Sequence, residues 1–165
     1  MNFIRDIQRK QFVDERGTFL KIFDKSNPLL ADVVIQQGNL VMSRSAYTLR
    51  GLHYQRAPFS ESKIFMVTNG SIQLVAIDLR PDSEEYKKGT HLLLDPSTNA
   101  YRIPGGFATG YCTLENHTEV LYLSDNVYSP EHERGIRWND PAFEINWPTD
   151  SPILSEKDKN WPDWK

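Results

Sequence analysis

The sequence has little of the residues and segments that define several large classes of protein. Its 165 residues include one cysteine, Cys112, so no intramolecular disulfide can form, which favours a reducing, cytoplasmic setting. No apolar run approaches the roughly 20 residues of a membrane span, and residues 1–17 lack the apolar stretch of a signal peptide. We therefore expect a cytoplasmic protein with no membrane partner.

Basic residues are not in excess. The chain has 19 Lys and Arg against 22 Asp and Glu, for a formal net charge of −3. Proteins that bind nucleic acids carry a clustered basic surplus, so we expect no nucleic-acid partner, although a few local arginines could hold a nucleotide. The composition, 39% hydrophobic and 25% charged, is globular, and the length predicts a single domain over residues 1–165.

The sequence also lacks the spacing of a metal site or of a nucleophilic triad. The four histidines are scattered, with no pair two apart on a strand or four apart on a helix beside a carboxylate, so we predict a metal-free pocket. No GxSxG motif occurs, and Cys112 lies in a predicted strand without an evident base.

The apolar pattern that is present has a period of two, in short runs that Gly, Pro, Asn and Asp interrupt. It predicts strands over residues 18–23, 33–40, 47–54, 63–68, 71–79, 91–94, 107–114 and 119–123. Many short strands predict an all-β jelly roll or barrel. Short peripheral helices are predicted over residues 27–32 and 155–159, and residues 148–162 are expected to pack on the barrel through nearby tryptophans.

Residues 63–78 predict a β-hairpin, because Asn69 and Gly70 suit the two positive φ angles of a type I′ turn. Such a turn would pair Lys63 with Ala76 and place Asp78 diagonally opposite. One face of the hairpin is then the predicted barrel interior. It carries Lys63, Phe65, Val67, Ile72, Leu74, Ala76 and Asp78.

Lys63 is unusual on that face, because a buried ammonium group is costly unless it is paired or hydrated. Two interpretations stay open: a structural ion pair with Asp78, or a functional cation. Arg50 and His53 are unusual as well, since strict alternation would point them to opposite faces of their strand. Both can serve one pocket only if the strand bulges or ends near Gly51.

Motifs along nearly the whole chain resemble those of the dTDP-4-dehydrorhamnose 3,5-epimerase family. They are RGLHYQ at 50–55, APFSESK at 57–63, NGSIQLVAIDLRPDS at 69–83, IPGGFATGYCTL at 103–114, EVLYLSDNVYSPEHERGIRWNDPAF at 119–143 and LSEKD at 154–158. The resemblance implies a cupin-like jelly-roll β-barrel, a homodimer that exchanges N-terminal strands, and no metal or organic cofactor. The implied substrate is a nucleotide-linked 4-keto-6-deoxy sugar, epimerised at C3, C5 or both.

The resemblance also implies roles for individual residues. His53 matches the catalytic base, Asp158 the carboxylate that orients it, Tyr122 the acid on the opposite side, and Lys63 the cation beside the enolate oxygen. Substrate-binding positions match as well. They are Arg16, Phe19, Gln37, Asn39, Arg50 and Tyr128.

Three positions depart from the family pattern. Thr109 stands where a pocket histidine is usual, so one titratable group near the sugar is replaced by a hydroxyl, which could alter the sugar or limit reaction to one carbon. Tyr47 replaces a common glycine and Lys21 a common glutamate, and each could reshape the pocket. Two alternatives stay open: a related 3,4-ketoisomerase, and a non-catalytic cupin that binds nucleotide sugars.

Overall fold

A computed structural model describes residues 3–164, and most of its regular structure is antiparallel β. The described elements are β1 (Arg5–Ile7), β2 (Gln11–Asp14), β3 (Gly17–Leu20), β4 (Gln37–Ser43), β5 (Leu49–Gln55), β6 (Lys63–Asn69), β7 (Ile72–Asp78), β8 (Gly89–Leu94), β9 (Ala100–Ile103), β10 (Phe107–Thr113), β11 (Thr118–Ser124), β12 (Glu133–Gly135) and α1 (Glu156–Lys159). No helix within residues 3–164 is long and apolar enough to cross a membrane.

Two five-stranded sheets form a jelly roll. The first has the order β1-β9-β6-β11-β4 and the second the order β12-β5-β10-β7-β8, while β2 and β3 pair only with each other. One buried cluster joins Phe65 and Val67 of the first sheet to Ile72 and Leu74 of the second. The main core therefore lies between the sheets, and the cupin-like β fold predicted from the sequence is confirmed.

The predicted hairpin over residues 63–78 is wrong in its pairing. β6 pairs with β9 and β11, whereas β7 pairs with β8 and β10 in the other sheet. Only Gly70 of the Asn69-Gly70 pair has a positive φ angle, +73°, and a Cβ on Gly70 would lie 2.4 Å from Thr118 Oγ1. Gly70 therefore serves a crossing between the sheets rather than a two-residue turn.

The predicted interior face of these strands is nevertheless confirmed for its apolar members, because the side-chain alternation holds whichever strand is the partner. The suggested Lys63–Asp78 ion pair is absent. Asp78 accepts hydrogen bonds from Arg80 and Ser83, and Lys63 lies 3.0 Å from Glu61.

Each of the eight predicted strands overlaps an observed one, but β1, β2, β9 and β12 were not predicted. These four are three or four residues long, too short to show an alternating pattern. Residues 27–32 form successive turns rather than a helix. The predicted helix at 155–159 is confirmed as α1, whose N-cap Ser155 accepts a hydrogen bond from the backbone N–H of Asp158. The C-terminal segment packs on the second sheet through Trp147 and Trp164.

Candidate active site

A pocket inside the barrel draws its polar side chains from both sheets. We call it the central pocket, and its lining includes Arg50, His53, Lys63, Thr109, Tyr111 and Tyr122. An adjoining pocket shares three of these residues, His53, Lys63 and Tyr122, and adds Gln37, Glu61, Tyr128 and Glu133. The predicted base, acid and cation therefore lie together.

A bulge in β5 lets Arg50 and His53 serve the same pocket. His53 is opposite Thr109 and Arg50 is opposite Tyr111, so three steps along β5 match two steps along β10. Gly51 lies within this irregularity with a φ angle of +113°, and a Cβ there would come within 2.6 Å of Gly110 Cα. Of the two possibilities expected from the sequence, a bulge or a strand end near Gly51, the structure has the bulge. Glycine is required there because the neighbouring backbone leaves no room for a side chain.

His53 is held by a buried carboxylate from the C-terminal helix. Its Nε2 lies 2.5 Å from Asp158 Oδ1, and Asp158 is only 4% exposed. Burial opposes the charge on this carboxylate, but its hydrogen bond with His53 and the attraction between the two outweigh burial, so the pKa of Asp158 is below its usual value. An ionised Asp158 that accepts the Nε2 hydrogen leaves Nδ1 of His53 with a free lone pair, as a general base requires.

Trp161 covers the His53–Asp158 pair. Its indole Nε1 donates to Asp158 Oδ1 at 3.3 Å, and its ring meets the imidazole of His53 edge-on with centroids 6.1 Å apart. Gly135, directly opposite His53 in β12, makes this possible, because a Cβ there would lie 2.2 Å from the indole ring. Trp161 was expected from the sequence only as one of the tryptophans through which the tail packs on the barrel, and its contact with the His53–Asp158 pair was missed.

Lys63 reaches the pocket from the start of β6, where it forms an ion pair with Glu61. Its Nζ lies 3.0 Å from Glu61 Oε1, and Ser124 donates a hydrogen bond to Glu61 Oε2 at 2.6 Å. Both charged side chains are largely buried, at 14% and 11% exposed. Of the two interpretations of Lys63, the geometry supports a cation facing the pocket, fixed there by a carboxylate that sequence reasoning missed.

Tyr122 faces the pocket from β11, in the sheet opposite to that of His53. Burial, and after it the charge of Glu61, raise the pKa of this phenol, while Arg50 lowers it to a smaller extent. The ring packs against Phe65, with centroids 5.4 Å apart. Tyr122 therefore remains protonated at neutral pH and has a proton to donate.

A polar network includes three lining residues of the adjoining pocket, Gln37, Tyr128 and Glu133, together with Asn39 and Lys157, which hydrogen-bond to them. The Tyr128 hydroxyl donates to Glu133 at 2.6 Å, and the Lys157 ammonium donates to the same carboxylate oxygen at 2.5 Å. Gln37 accepts from the backbone N–H of Tyr128 at 3.1 Å and donates to Asn39 at 3.0 Å. Gln37, Asn39 and Tyr128 were predicted, whereas Glu133 and Lys157 were missed, because their pairing depends on tertiary contact between β12 and α1.

Two predicted binding residues lie apart from these pockets within the chain. Arg16 and Phe19 belong to the β2–β3 hairpin and line a separate exposed cleft. Arg16 forms an ion pair with Asp14 of the same hairpin. Lys21 pairs with Asp24 at 2.7 Å, and Tyr47 is 47% exposed with a φ angle of 60°. Neither Lys21 nor Tyr47 lines the central or the adjoining pocket, so Thr109 is the one family departure of the three that does.

The candidate metal ligands and the single cysteine bear on other kinds of chemistry. Within residues 3–164, no three His, Cys, Asp or Glu side chains are grouped as metal ligands would be. Cys112 is fully buried, and burial raises the pKa of its thiol to about 11. Its thiol is therefore protonated at neutral pH and unsuited to nucleophilic attack.

The chain is similar to several known proteins. A protein from Sinorhizobium fredii named dTDP-4-dehydrorhamnose 3,5-epimerase is 38% identical over 163 residues, covering 96% of this chain and 84% of that protein. The crystal structure of such an enzyme from Bacillus anthracis, with TDP and pyrophosphate bound, has a TM-score of 0.91 and 36% identity, covering 98% of this chain and 99% of that one. The structure of a 3,5-epimerase from Legionella pneumophila in complex with dTDP-4-keto-L-rhamnose has a TM-score of 0.87 and 29% identity, covering 97% and 92% of the two chains.

A family model described as dTDP-4-dehydrorhamnose 3,5-epimerase matches residues 4–165. This match extends over all the strands and α1, and so over every residue of the two pockets. The chain therefore belongs to the dTDP-4-dehydrorhamnose 3,5-epimerase family and is an isomerase.

Proposed function

We propose that this protein epimerises a dTDP-linked 4-keto-6-deoxyhexose, with His53 removing a proton from a sugar carbon and Tyr122 returning one to the same carbon. The observation that carries the proposal is the placement of these two groups on opposite sheets, lining one pocket together with Lys63. A base on one side of a sugar ring and an acid on the other are what inversion at a carbon centre needs. The bound dTDP-4-keto-L-rhamnose and TDP of the two related structures support the choice of substrate.

The chemistry follows from the ketone at C4, which acidifies the hydrogens on C3 and C5. His53 removes one of these protons, and the C–H electron pair moves into an enolate whose charge lies on O4. Asp158 stabilises the imidazolium that forms, as a carboxylate does in a catalytic triad. Tyr122 returns a proton to the same carbon from the opposite face, so that the configuration inverts and the ketone is restored.

Lys63 is the proposed oxyanion partner. Stabilisation of the enolate oxygen by one well-placed donor contributes on the order of 3 kcal/mol in other enzymes. Because Glu61 and Ser124 fix the ammonium group before substrate arrives, little reorganisation is needed when the oxyanion forms.

We also propose a homodimer, in which the β2–β3 hairpin packs on a second copy of the chain. The hairpin belongs to neither sheet and leaves three apolar side chains more than half exposed: Phe12 (57%), Val13 (71%) and Phe19 (63%). In such a dimer Arg16 and Phe19 of one subunit would complete the nucleotide site of the other. This accounts for two predicted binding residues that lie outside the pockets of their own chain.

A cytoplasmic location is part of the proposal. The sequence holds a single cysteine, and its thiol is buried and without a disulfide. A chain with no disulfide to protect is typical of a reducing compartment.

The activity is tested by incubating the protein with dTDP-4-keto-6-deoxyglucose in deuterated water and recording proton spectra. We expect deuterium at C3, C5 or both, together with sugars of inverted configuration. A GDP-linked 4-keto-6-deoxy sugar serves as the comparison for the nucleotide. A 3-keto product would instead support the 3,4-ketoisomerase, and binding without any exchange would support the non-catalytic alternative.

The presence of Thr109 leads to a further prediction, which concerns the rates of deuterium exchange at C3 and C5. Its side chain lines the central pocket opposite His53 but cannot titrate near neutral pH. We expect one of C3 and C5 to exchange much faster than the other, and Thr109→His to raise the slower rate relative to the faster one. Equal uptake at both carbons by the natural protein, on a substrate turned over efficiently, would show that Thr109 supports full 3,5-epimerisation.

A further inference from the structure

One buried hydroxyl in the central pocket has no role in the mechanism above. Tyr111 lies in β10, is 4% exposed and belongs to the core cluster between the sheets. Its hydroxyl oxygen is buried, yet no residue in the described range 3–164 lies within hydrogen-bonding distance of it. Phenylalanine would fill the same space without this cost, because a buried polar group without a partner destabilises the folded protein.

Tyr111 lies on the side of β10 that faces the central pocket. Tyr111 follows Thr109 by two residues, so both side chains emerge on the same face of β10 and both line the central pocket. Its strand partner is Arg50, which lines the same pocket. Tyr111 therefore lies among the side chains that line the pocket in which the proposed function places the sugar.

We propose that the Tyr111 hydroxyl hydrogen-bonds a hydroxyl group of the bound hexose and so helps to determine which sugar is accepted. The inference rests on the proposed function, because it requires a nucleotide-linked hexose in the central pocket. The apo protein leaves the donor unpaired, and the correct sugar satisfies it. A sugar without a hydroxyl at that place leaves the group unpaired in the complex as well, and this is how a buried hydrogen-bonding group discriminates between related ligands.

The hexose is the expected partner rather than the diphosphate. His53, Lys63 and Tyr122 line both the central and the adjoining pocket, so the carbons that exchange protons must lie where the two pockets meet, and Tyr111 lines the central one. Burial raises the pKa of Tyr111, and the phenol is neutral. A neutral group that can both donate and accept matches a sugar hydroxyl, whereas a phosphate is better matched by the guanidinium of an arginine.

The test is Tyr111→Phe, which removes only the oxygen atom. Its matched control is Tyr101→Phe, the same change at a half-buried tyrosine that packs on the same core cluster and lines neither pocket. Calorimetry measures binding of dTDP-glucose, a stable nucleotide hexose, and of dTDP alone, and thermal unfolding measures the stability of the ligand-free proteins. We expect Tyr111→Phe to weaken dTDP-glucose about three- to tenfold, to leave dTDP unchanged, and to keep or raise the melting temperature.

Three results would overturn the proposal: unchanged binding of dTDP-glucose, equal weakening of dTDP-glucose and dTDP, or a lower melting temperature than that of the natural protein. The first shows no contact with the sugar, the second a contact with the nucleotide, and the third a structural partner for the hydroxyl. Deuterium exchange by the natural protein is measured separately. Its absence would contradict the proposed function, while the binding data would still decide the role of Tyr111.

Discussion

His53→Asn is expected to lower deuterium exchange at both C3 and C5 by at least ~100-fold, the lower end of what a general base contributes. Asparagine keeps a polar side chain of similar size next to Asp158 but cannot take a proton near neutral pH. The loss should be in kcat, because binding of the nucleotide sugar does not depend on the basic nitrogen. Single-turnover exchange in deuterated water measures the effect directly.

The matched control for this variant is His91→Asn. His91 is exposed on β8, where it hydrogen-bonds to Gln73 at 3.0 Å, and it lines neither pocket. We expect its exchange rates to equal those of the natural protein. Near-normal exchange in a folded His53→Asn protein that still binds dTDP-glucose would contradict the assignment of His53 as the base.

Tyr122→Phe is expected to lower formation of the inverted sugar about as strongly as His53→Asn lowers deuterium exchange. Without the phenol, His53 can still remove a proton and return a solvent-derived one from its own side, so exchange is expected to fall by less than tenfold. Formation of the inverted sugar requires a proton from the opposite sheet and is expected to fall by about 100-fold or more. The ratio of exchanged to inverted sugar, read from one spectrum, therefore rises at least tenfold.

This ratio separates the loss of an acid from a general disturbance of the pocket. Tyr101→Phe again provides the control, with an unchanged ratio. If exchange and inversion fell by the same factor in Tyr122→Phe, Tyr122 would not be the acid. Its role would then be to pack against Phe65.

The strands could be predicted where each one carries its own signal. β6, β7, β10 and β11 are each seven residues long, and most of their side chains alternate between the two faces of a sheet or are buried on both. Their pairing could not be predicted in the same way, because an Asn-Gly pair between two strands is compatible both with a hairpin turn and with a crossing between sheets. What decides between them is the partner strand β11, about 50 residues further along the chain.

In the pocket too, residues within local motifs could be predicted, whereas those that act through tertiary contacts could not. Family motifs located His53, Lys63 and Tyr122, since each lies in a recognisable local stretch. Glu61 was missed although it is only two residues from Lys63, because its role depends on Ser124, which a different strand brings to 2.6 Å. Arg50 and His53 show that a local anomaly can be informative: their spacing around a glycine restricted β5 to a bulge or an end near Gly51, and the structure has the bulge.

The His53–Asp158 contact joins two distant parts of the chain. Within residues 3–164, every strand of both sheets ends by Gly135, whereas Asp158 lies 105 residues after His53. Proteolytic loss of the segment that follows Gly135 would therefore take away the carboxylate that contacts His53. The same cleavage would uncover the part of the second sheet on which Trp147 and Trp164 pack, so it would disturb the pocket and the stability of the fold together.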